Sequence, residues 1–164
     1  MAVNQKRKSA GRKPADHNSS MLQSFDGARL GMLIKRAEQA MVRAKTAALK
    51  PIGLTLAQYV ALVELDRQPG VTAATLARAC LVTPQAMMIL LKSMEQQDLI
   101  KRSSHPRHPN VLELHMTDVG REAHHAACGR VDPIERRVLG VFSKSDLSAL
   151  RGHLTRFIEA FDKE

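Results

Sequence analysis

The apolar positions of this chain recur mostly at helical spacing, and a hairpin-like segment interrupts that pattern once. From about Asp26 to Leu49, the residues Leu30, Leu33, Ile34, Ala37, Met41 and Ala44 lie on one helical face. Pro51-Ile52-Gly53 should stop that helix. Thr55-Leu56-Ala57-Gln58 then reads as a capping box, with Leu54 and Tyr59 placed as its hydrophobic staple. The helix it opens runs through Val60, Leu62, Val63 and Leu65 and stops near Pro69-Gly70. Val71-Thr72 is expected to add a short strand before a third helix, which Thr72 caps. Leu76, Ala77, Cys80 and Leu81 form the expected inner face of that helix.

A fourth helix is predicted to start with Thr83 as N-cap and Pro84 at the first helical position, where a missing N–H costs nothing. Met87, Leu90, Leu91 and Met94 follow the i, i+3, i+4, i+7 pattern and should face inward. At about 100° per residue, Gln85, Met88, Ile89, Lys92 and Gln96 point the other way. Met88 and Ile89 make that face unusually apolar. Either it meets a partner, such as thymine methyl groups in a DNA groove, or the helix is buried on both faces.

Leu99 to Arg102 and Val111 to Met116 read as two strands. Leu112, Leu114 and Met116 share one face of the second. Residues 103–110 between them form a turn-rich tip, whose prolines discourage pairing there. Another helix begins at Thr117-Asp118 and includes Ala123, Ala126, Ala127 and Val131; Pro133 is expected to kink or restart it. The last helix opens at Ser143 to Asp146, with Phe142 and Leu147 as staple. Leu147, Leu150, Leu154, Phe157, Ile158 and Phe161 give it a continuous apolar stripe. The expected architecture is mainly α with a small β-wing: a winged helix-turn-helix between terminal helices. Their stripes are too long for a small core to cover, so a two-fold homodimer is the simplest way to bury them.

Composition adds direction. Hydrophobic residues make up 44% of 164, enough for one domain with a core. The net charge of +9 favours an anionic partner, most often nucleic acid. Aromatics are only 3%, with no Trp, which argues against stacking platforms for single strands. Residues 1–20 carry Lys6, Arg7, Lys8, Arg12 and Lys13 against Asp16 and read as a disordered basic arm. No run of about 18 apolar residues is present, and the first 20 residues lack a signal-peptide core, so a cytoplasmic, non-membrane protein is expected.

The chemistry of catalysis is missing: there is no phosphate loop, nucleophile elbow or clustered carboxylates, so no enzyme and no cofactor are expected. Two cysteines are too few for a disulfide scaffold. His124 and Cys128 share a helix face, but two ligands do not make a metal site. Cys80 should pack inertly on its helix, and Cys128 is the candidate for a redox-responsive regulator. A sequence-tolerant architectural DNA protein and a helical protein-interaction module are the other readings.

In order and spacing, several segments together resemble the MarR family of winged helix-turn-helix regulators. They are Leu54-Thr55-Leu56-Ala57-Gln58-Tyr59, Leu76-Ala77-Arg78, Leu99-Ile100-Lys101-Arg102, and Leu114-His115-Met116-Thr117-Asp118-Val119-Gly120-Arg121. The resemblance covers about residues 27–162. It implies a single domain over 21–164, with the winged core at about 52–116 and dimerisation helices at about 26–49 and 117–162. It also implies a repressor that binds a palindromic double-stranded operator as a homodimer and is released by a small anionic or phenolic effector. Carried onto this sequence, the DNA-contacting residues are Thr83, Pro84, Gln85, Ala86, Met88, Ile89, Lys92, Arg102 and Arg107. Arg36, Met41 and Tyr59 are the effector candidates by position. Two departures stand out. His108-Pro109-Asn110 occupies the place of the family's acid–arginine bracing of the wing, and Ile89 stands where the family often has arginine. Loss of that arginine shifts the expected operator from guanine reading by arginine toward A and T.

Overall fold

The computed structural model describes residues 30–161. The basic arm at 1–20, residues 26–29 of the expected first helix and position 162 lie outside them. The chain divides into two compact units, Met1–Gln39 and Ala40–Glu164; the core and the site described below belong to the second.

Helix α1 (Leu30–Leu49) runs into a 3-10 turn (Lys50–Ile52), where Gly53 closes the end in a left-handed conformation at φ 71°. Such a φ is open to glycine at little cost. Helix α2 (Leu56–Arg67) starts at the expected capping box. The Gln58 N–H donates to Thr55 Oγ1 at 3.1 Å, and the Thr55 N–H donates to Gln58 Oε1 at 2.9 Å. This reciprocal pair explains how the polar Gln58 can be buried. Helix α3 (Ala73–Ala79) is capped by Thr72, as expected.

Val71-Thr72 is not a strand. Two backbone bonds are made there, Gly70 N–H to Leu114 O and Leu114 N–H to Val71 O, each 3.0 Å. Pairing stops after them because Thr72 turns away to cap α3.

Helix α4 (Pro84–Gln96) leads into strands β1 (Ile100–His105) and β2 (His108–Met116), a two-stranded antiparallel sheet. The strands run closer to the tip than the sequence suggests, and Pro109 lies inside β2. The register slips between Ser104, opposite Leu112, and His105, opposite His108. Residues 109–111 are therefore left without partners on β1, and a proline there removes no ladder bond. On the expected face of β2, Leu114 is buried and Met116 half-buried, while Leu112 projects past the core and is exposed.

Helix α5 (Asp118–Leu139) continues through Pro133, so of the expected kink or restart the restart does not occur. Pro133 removes one helical bond. Burial of Ala127 and Val131 holds the turn before it, and a 2.5 Å ion pair from Lys45 to Glu135 holds the turn after. Helix α6 (Lys144–Glu159) begins at a capping box between Ser143 and Asp146.

One apolar cluster joins these elements. Leu49, Leu62, Leu65, Leu76, Met87, Leu91, Met94, Leu114 and Val131 are its largest fully buried side chains. Helix α6 contributes no buried residue to it.

Candidate nucleic-acid interface

Helices α3 and α4 meet at 108°, within the range of a helix-turn-helix. The turn is built by the backbone. Leu81 N–H bonds Arg78 O at 3.2 Å, and Val82 N–H bonds Ala77 O at 3.0 Å, with Leu81 left-handed at φ 56°. Leu81 therefore does not join the inner face of α3; it is 93% exposed beside α4. A helix that ends in a left-handed residue turns the next side chain away from its packing face, and here that residue is not glycine. Thr83 then caps α4 by accepting the Ala86 N–H at 3.2 Å, with Pro84 in the first turn.

The two faces of α4 separate as the spacing predicts. Met87, Leu91 and Met94 are buried and Leu90 is half-buried, whereas Gln85, Ala86, Met88, Ile89, Lys92 and Gln96 are exposed. Ile89 is 74% exposed, so α4 is not buried on both sides within the chain. The outward face thus combines two amides, four apolar groups counting Leu81, and an ammonium.

The wing lies next to this helix and is fastened to it. Arg102 on β1 donates through Nε to Glu95 Oε1 at 2.6 Å and through a terminal nitrogen to Oε2 at 3.4 Å. This bidentate pair between the wing and α4 supplies an acid–arginine brace by other residues than the family's usual ones. Arg102 is thereby engaged within the chain, while Arg107 is exposed at the tip. Leu81, expected on the inner face of α3, and Glu95 are the two residues of this region that the sequence does not place at the interface. The Glu95–Arg102 pairing has no local signature, since its members sit seven apart on different elements.

The effector candidates are not gathered in the same way. Arg36 lies in the first unit and is exposed; Met41 on α1 and Tyr59 on α2 are half-buried. An open depression lined by Ser145, Ser148, Ala149, Gly152, His153 and Arg156 runs along α6 and includes none of them. Burial, then the neighbouring Cys128 and Asp132, push the Tyr59 hydroxyl up to about 12. Burial and Asp132 also push the Cys128 thiol up, against a hydrogen bond with Tyr59 that pulls the other way. Burial, then Glu64, raises Cys80. A raised thiol is a poor thiolate, which speaks against oxidant sensing at either cysteine. Cys128 Sγ lies 3.3 Å from His124 Nε2, and among the described residues no group of three or more potential ligands could hold a metal.

These raised values link folding to pH. Folded-state affinities for the proton exceed unfolded ones, so the stability they confer is complete below about pH 9 and is lost as pH climbs toward 12. Thermal melts between pH 8 and 11.5 should show a falling midpoint. Tyr59→Phe should fall less steeply above pH 10; parallel curves would show that Tyr59 contributes nothing to the loss.

A helix-turn-helix with a hairpin wing fastened to its second helix defines the winged helix-turn-helix class. Comparison with known proteins places the chain within it. Residues 52–108 match the MarR family. The HTH-type transcriptional repressor Rv2887 of Mycobacterium tuberculosis is 36% identical over 114 residues, covering 70% of this chain and 82% of that protein. The crystal structure of Rv2887 in complex with salicylic acid aligns with a TM-score of 0.62 at 32% identity, over 80% of this chain and 98% of that one. The transcriptional repressor CouR, of Rhodococcus jostii RHA1, has been solved bound to a 23-mer DNA duplex. It aligns with a TM-score of 0.71 at 25% identity, over 79% of this chain and 92% of that one. The chain belongs to the MarR family of transcriptional regulators. These relatives are regulators and not enzymes.

Proposed function

We propose that this protein is a dimeric, sequence-specific repressor that inserts α4 of each subunit into successive major grooves. The observation that carries the reading is the outward face of α4, where Gln85, Met88 and Ile89 stand exposed on a helix whose other face is core. Gln85 has the bidentate amide that suits adenine, and Met88, Ile89 and Leu81 offer apolar contact to thymine methyl groups. Ala86 is small enough to let the helix start approach base edges. Thr83, Pro84 and the free N–H groups of the first turn approach phosphate, and Lys92 supplies charge beside them. Arg107 extends the wing toward the backbone or minor groove, and Arg102 serves by fixing the wing on Glu95. The operator favoured by this set is palindromic and rich in A and T.

Dimerisation is supported by what the chain leaves uncovered. Leu150, Leu154, Phe157 and Ile158 on α6, with Phe161 just past its end, are 36–70% exposed, and Leu30 and Leu33 of α1 are exposed as well. An apolar stripe of this length on a monomer is a liability, and a second copy is the self-complementary way to cover it. The effector is proposed to be a small anionic aromatic, in keeping with the salicylic acid bound by Rv2887 and the p-coumaroyl-CoA bound by CouR. Met41 and Tyr59 are proposed to meet it; Arg36 is a candidate from the sequence alone. An effector that binds better to an unsuitable spacing of the two reading heads would release DNA.

Two substitutions test the roles on α4. Lys92→Ala should weaken binding to all duplexes alike and flatten the dependence of log K on log salt by about 0.9, one phosphate contact. Gln85→Ala should narrow the gap between a preferred and a scrambled duplex by about 1–3 kcal/mol. Fluorescence anisotropy on both duplexes measures both effects. A uniform loss with Gln85→Ala would contradict its assignment to base reading.

A further inference from the structure

The face of the wing opposite Leu114 holds a cluster of ionisable side chains outside the α4 interface. The Glu113 side chain is 18% exposed and lies between two imidazoles. His115 Nε2 is 3.2 Å from Glu113 Oε2, and His105 Nε2 is 3.7 Å from Oε1. His105 uses its other nitrogen to shape the tip, where Nδ1 accepts the Arg107 N–H at 3.0 Å. The ring of His108 faces that of His105, with centroids 5.0 Å apart. Three of the chain's seven histidines thus sit on a 17-residue hairpin, residues 100–116, whose tip carries Arg107.

The surrounding charges give the cluster its meaning. Lys101 stands directly across the ladder from His115. On the elements packed against the hairpin, three ion pairs join Glu95 of α4 with Arg102, Glu64 of α2 with Arg67, and Arg121 of α5 with Asp118, while Lys92 of α4 and Glu122 of α5 stand exposed. Asp66 of α2 lies 3.9 Å from His124 of α5, and Arg78 of α3 donates to Thr75. Glu113 is the one acidic residue of the hairpin itself, and its ion-pair contacts are to imidazoles. With neutral imidazoles it subtracts from the charge the wing presents to phosphate. With protonated ones it becomes a neutral pair, and further positive charge is added beside Arg107. Imidazole is the side chain that makes this change between pH 5 and 8.

We propose that the wing is a proton-gated phosphate contact, in which protonation of His105, His108 and His115 offsets Glu113 and tightens the wing on the nucleic-acid backbone. Counting formal charges over residues 100–116, Lys101, Arg102 and Arg107 against Glu113 give +2, and three imidazolium groups raise this to +5. Protonation at Nδ1 of His105 also removes the acceptor of the Arg107 N–H, so the tip is released as the charge rises. The effect is sequence-independent, because it acts on phosphate. It rests on the DNA-binding reading and adds to it a regulation by pH.

The test uses the full chain and a random-sequence 24-base-pair duplex, so that no operator need be known. Anisotropy titrations at pH 6.0 and pH 8.0, at matched ionic strength and at two salt concentrations, should give binding about 3–10-fold tighter at pH 6.0. The salt slope should be steeper there by about 1–2 contacts. His105→Asn with His115→Asn should lose most of the difference, and Glu113→Gln should already bind tighter than wild type at pH 8.0. Imidazole carbon-bound proton resonances of the unmodified protein provide a second readout that needs no variant: those of His105 and His115 should titrate in step with the affinity. Equal affinity at both pH values would overturn the proposal, as would a pH dependence that the double variant keeps in full. Failure of the unmodified protein to bind any duplex at either pH would instead refute the DNA-binding reading.

Discussion

Gly120→Ala should lower the thermal midpoint by about 6–12 °C, the largest loss expected from adding a single methyl group to this chain. A Cβ built at Gly120 would lie 1.9 Å from the Leu99 carbonyl oxygen and 2.9 Å from its carbon. Those are backbone atoms, so no side chain can swing aside to make room. The same Leu99 oxygen accepts the Thr117 N–H at 3.2 Å, the Thr117 hydroxyl bonds Asp98 O, and Gly120 N–H returns to Thr117 Oγ1 at 2.9 Å. The start of α5 is thus clamped onto the entry to the wing, and parting them breaks the clamp. Overpacking a rigid site costs about 3 kcal/mol. Calorimetry of the variant checks this, and a midpoint within 2 °C of wild type would mean that the two backbones separate easily. Because the clamp also sets where β1 leaves α4, the variant should bind DNA more weakly even at temperatures where it remains folded.

Leu154→Asp with Phe157→Asp should convert the protein to monomers and reduce its affinity for a palindromic duplex by at least roughly 100-fold, the scale lost when two linked reading heads become one. In the single chain these side chains are 40% and 38% exposed, and α6 has no buried residue. Charge at such positions costs an isolated chain little, about 0.5 kcal/mol each. If a second copy covers the stripe, two carboxylates per subunit enter an apolar interface and it fails. Sedimentation velocity and circular dichroism separate the outcomes. A folded monomer with weak DNA binding is expected. An unchanged dimer would place the interface elsewhere, and an unfolded chain would mean that α6 packs within its own subunit.

Much of the architecture was legible because it is written locally. The capping box at Thr55, the start of α6 at Ser143, the Thr-Pro start of α4 and the two faces of α4 each depend on residues within a turn or two of one another. What was illegible depends on distance or on backbone conformation. Leu81 reads as an inner residue by spacing, yet a left-handed backbone turns it out, and a leucine gives no signal of that. Pro109 reads as a strand breaker, but the register slip places it where no partner waits. Pro133 reads as a kink or a restart, and the restart is missing because contacts on either side of it bridge the lost bond. The Gly120 motif could be quoted as a resemblance, while its cause, the Leu99 carbonyl 21 residues earlier, is a contact that no local pattern contains. The interface shows the same division. Its α4 residues followed from periodicity, whereas the Glu95–Arg102 brace and the histidine cluster around Glu113 required the hairpin to be folded.

The most direct test of a dimeric, sequence-specific regulator is selection of bound duplexes from a random-sequence pool by the full-length protein, followed by stoichiometry on the enriched duplex. The expected result is a two-fold symmetric motif rich in A and T, with half-sites about 10 base pairs apart, bound by two chains. Recovery of no motif, with equal and strongly salt-dependent affinity for every duplex, would contradict it and leave a sequence-tolerant DNA-binding protein in its place.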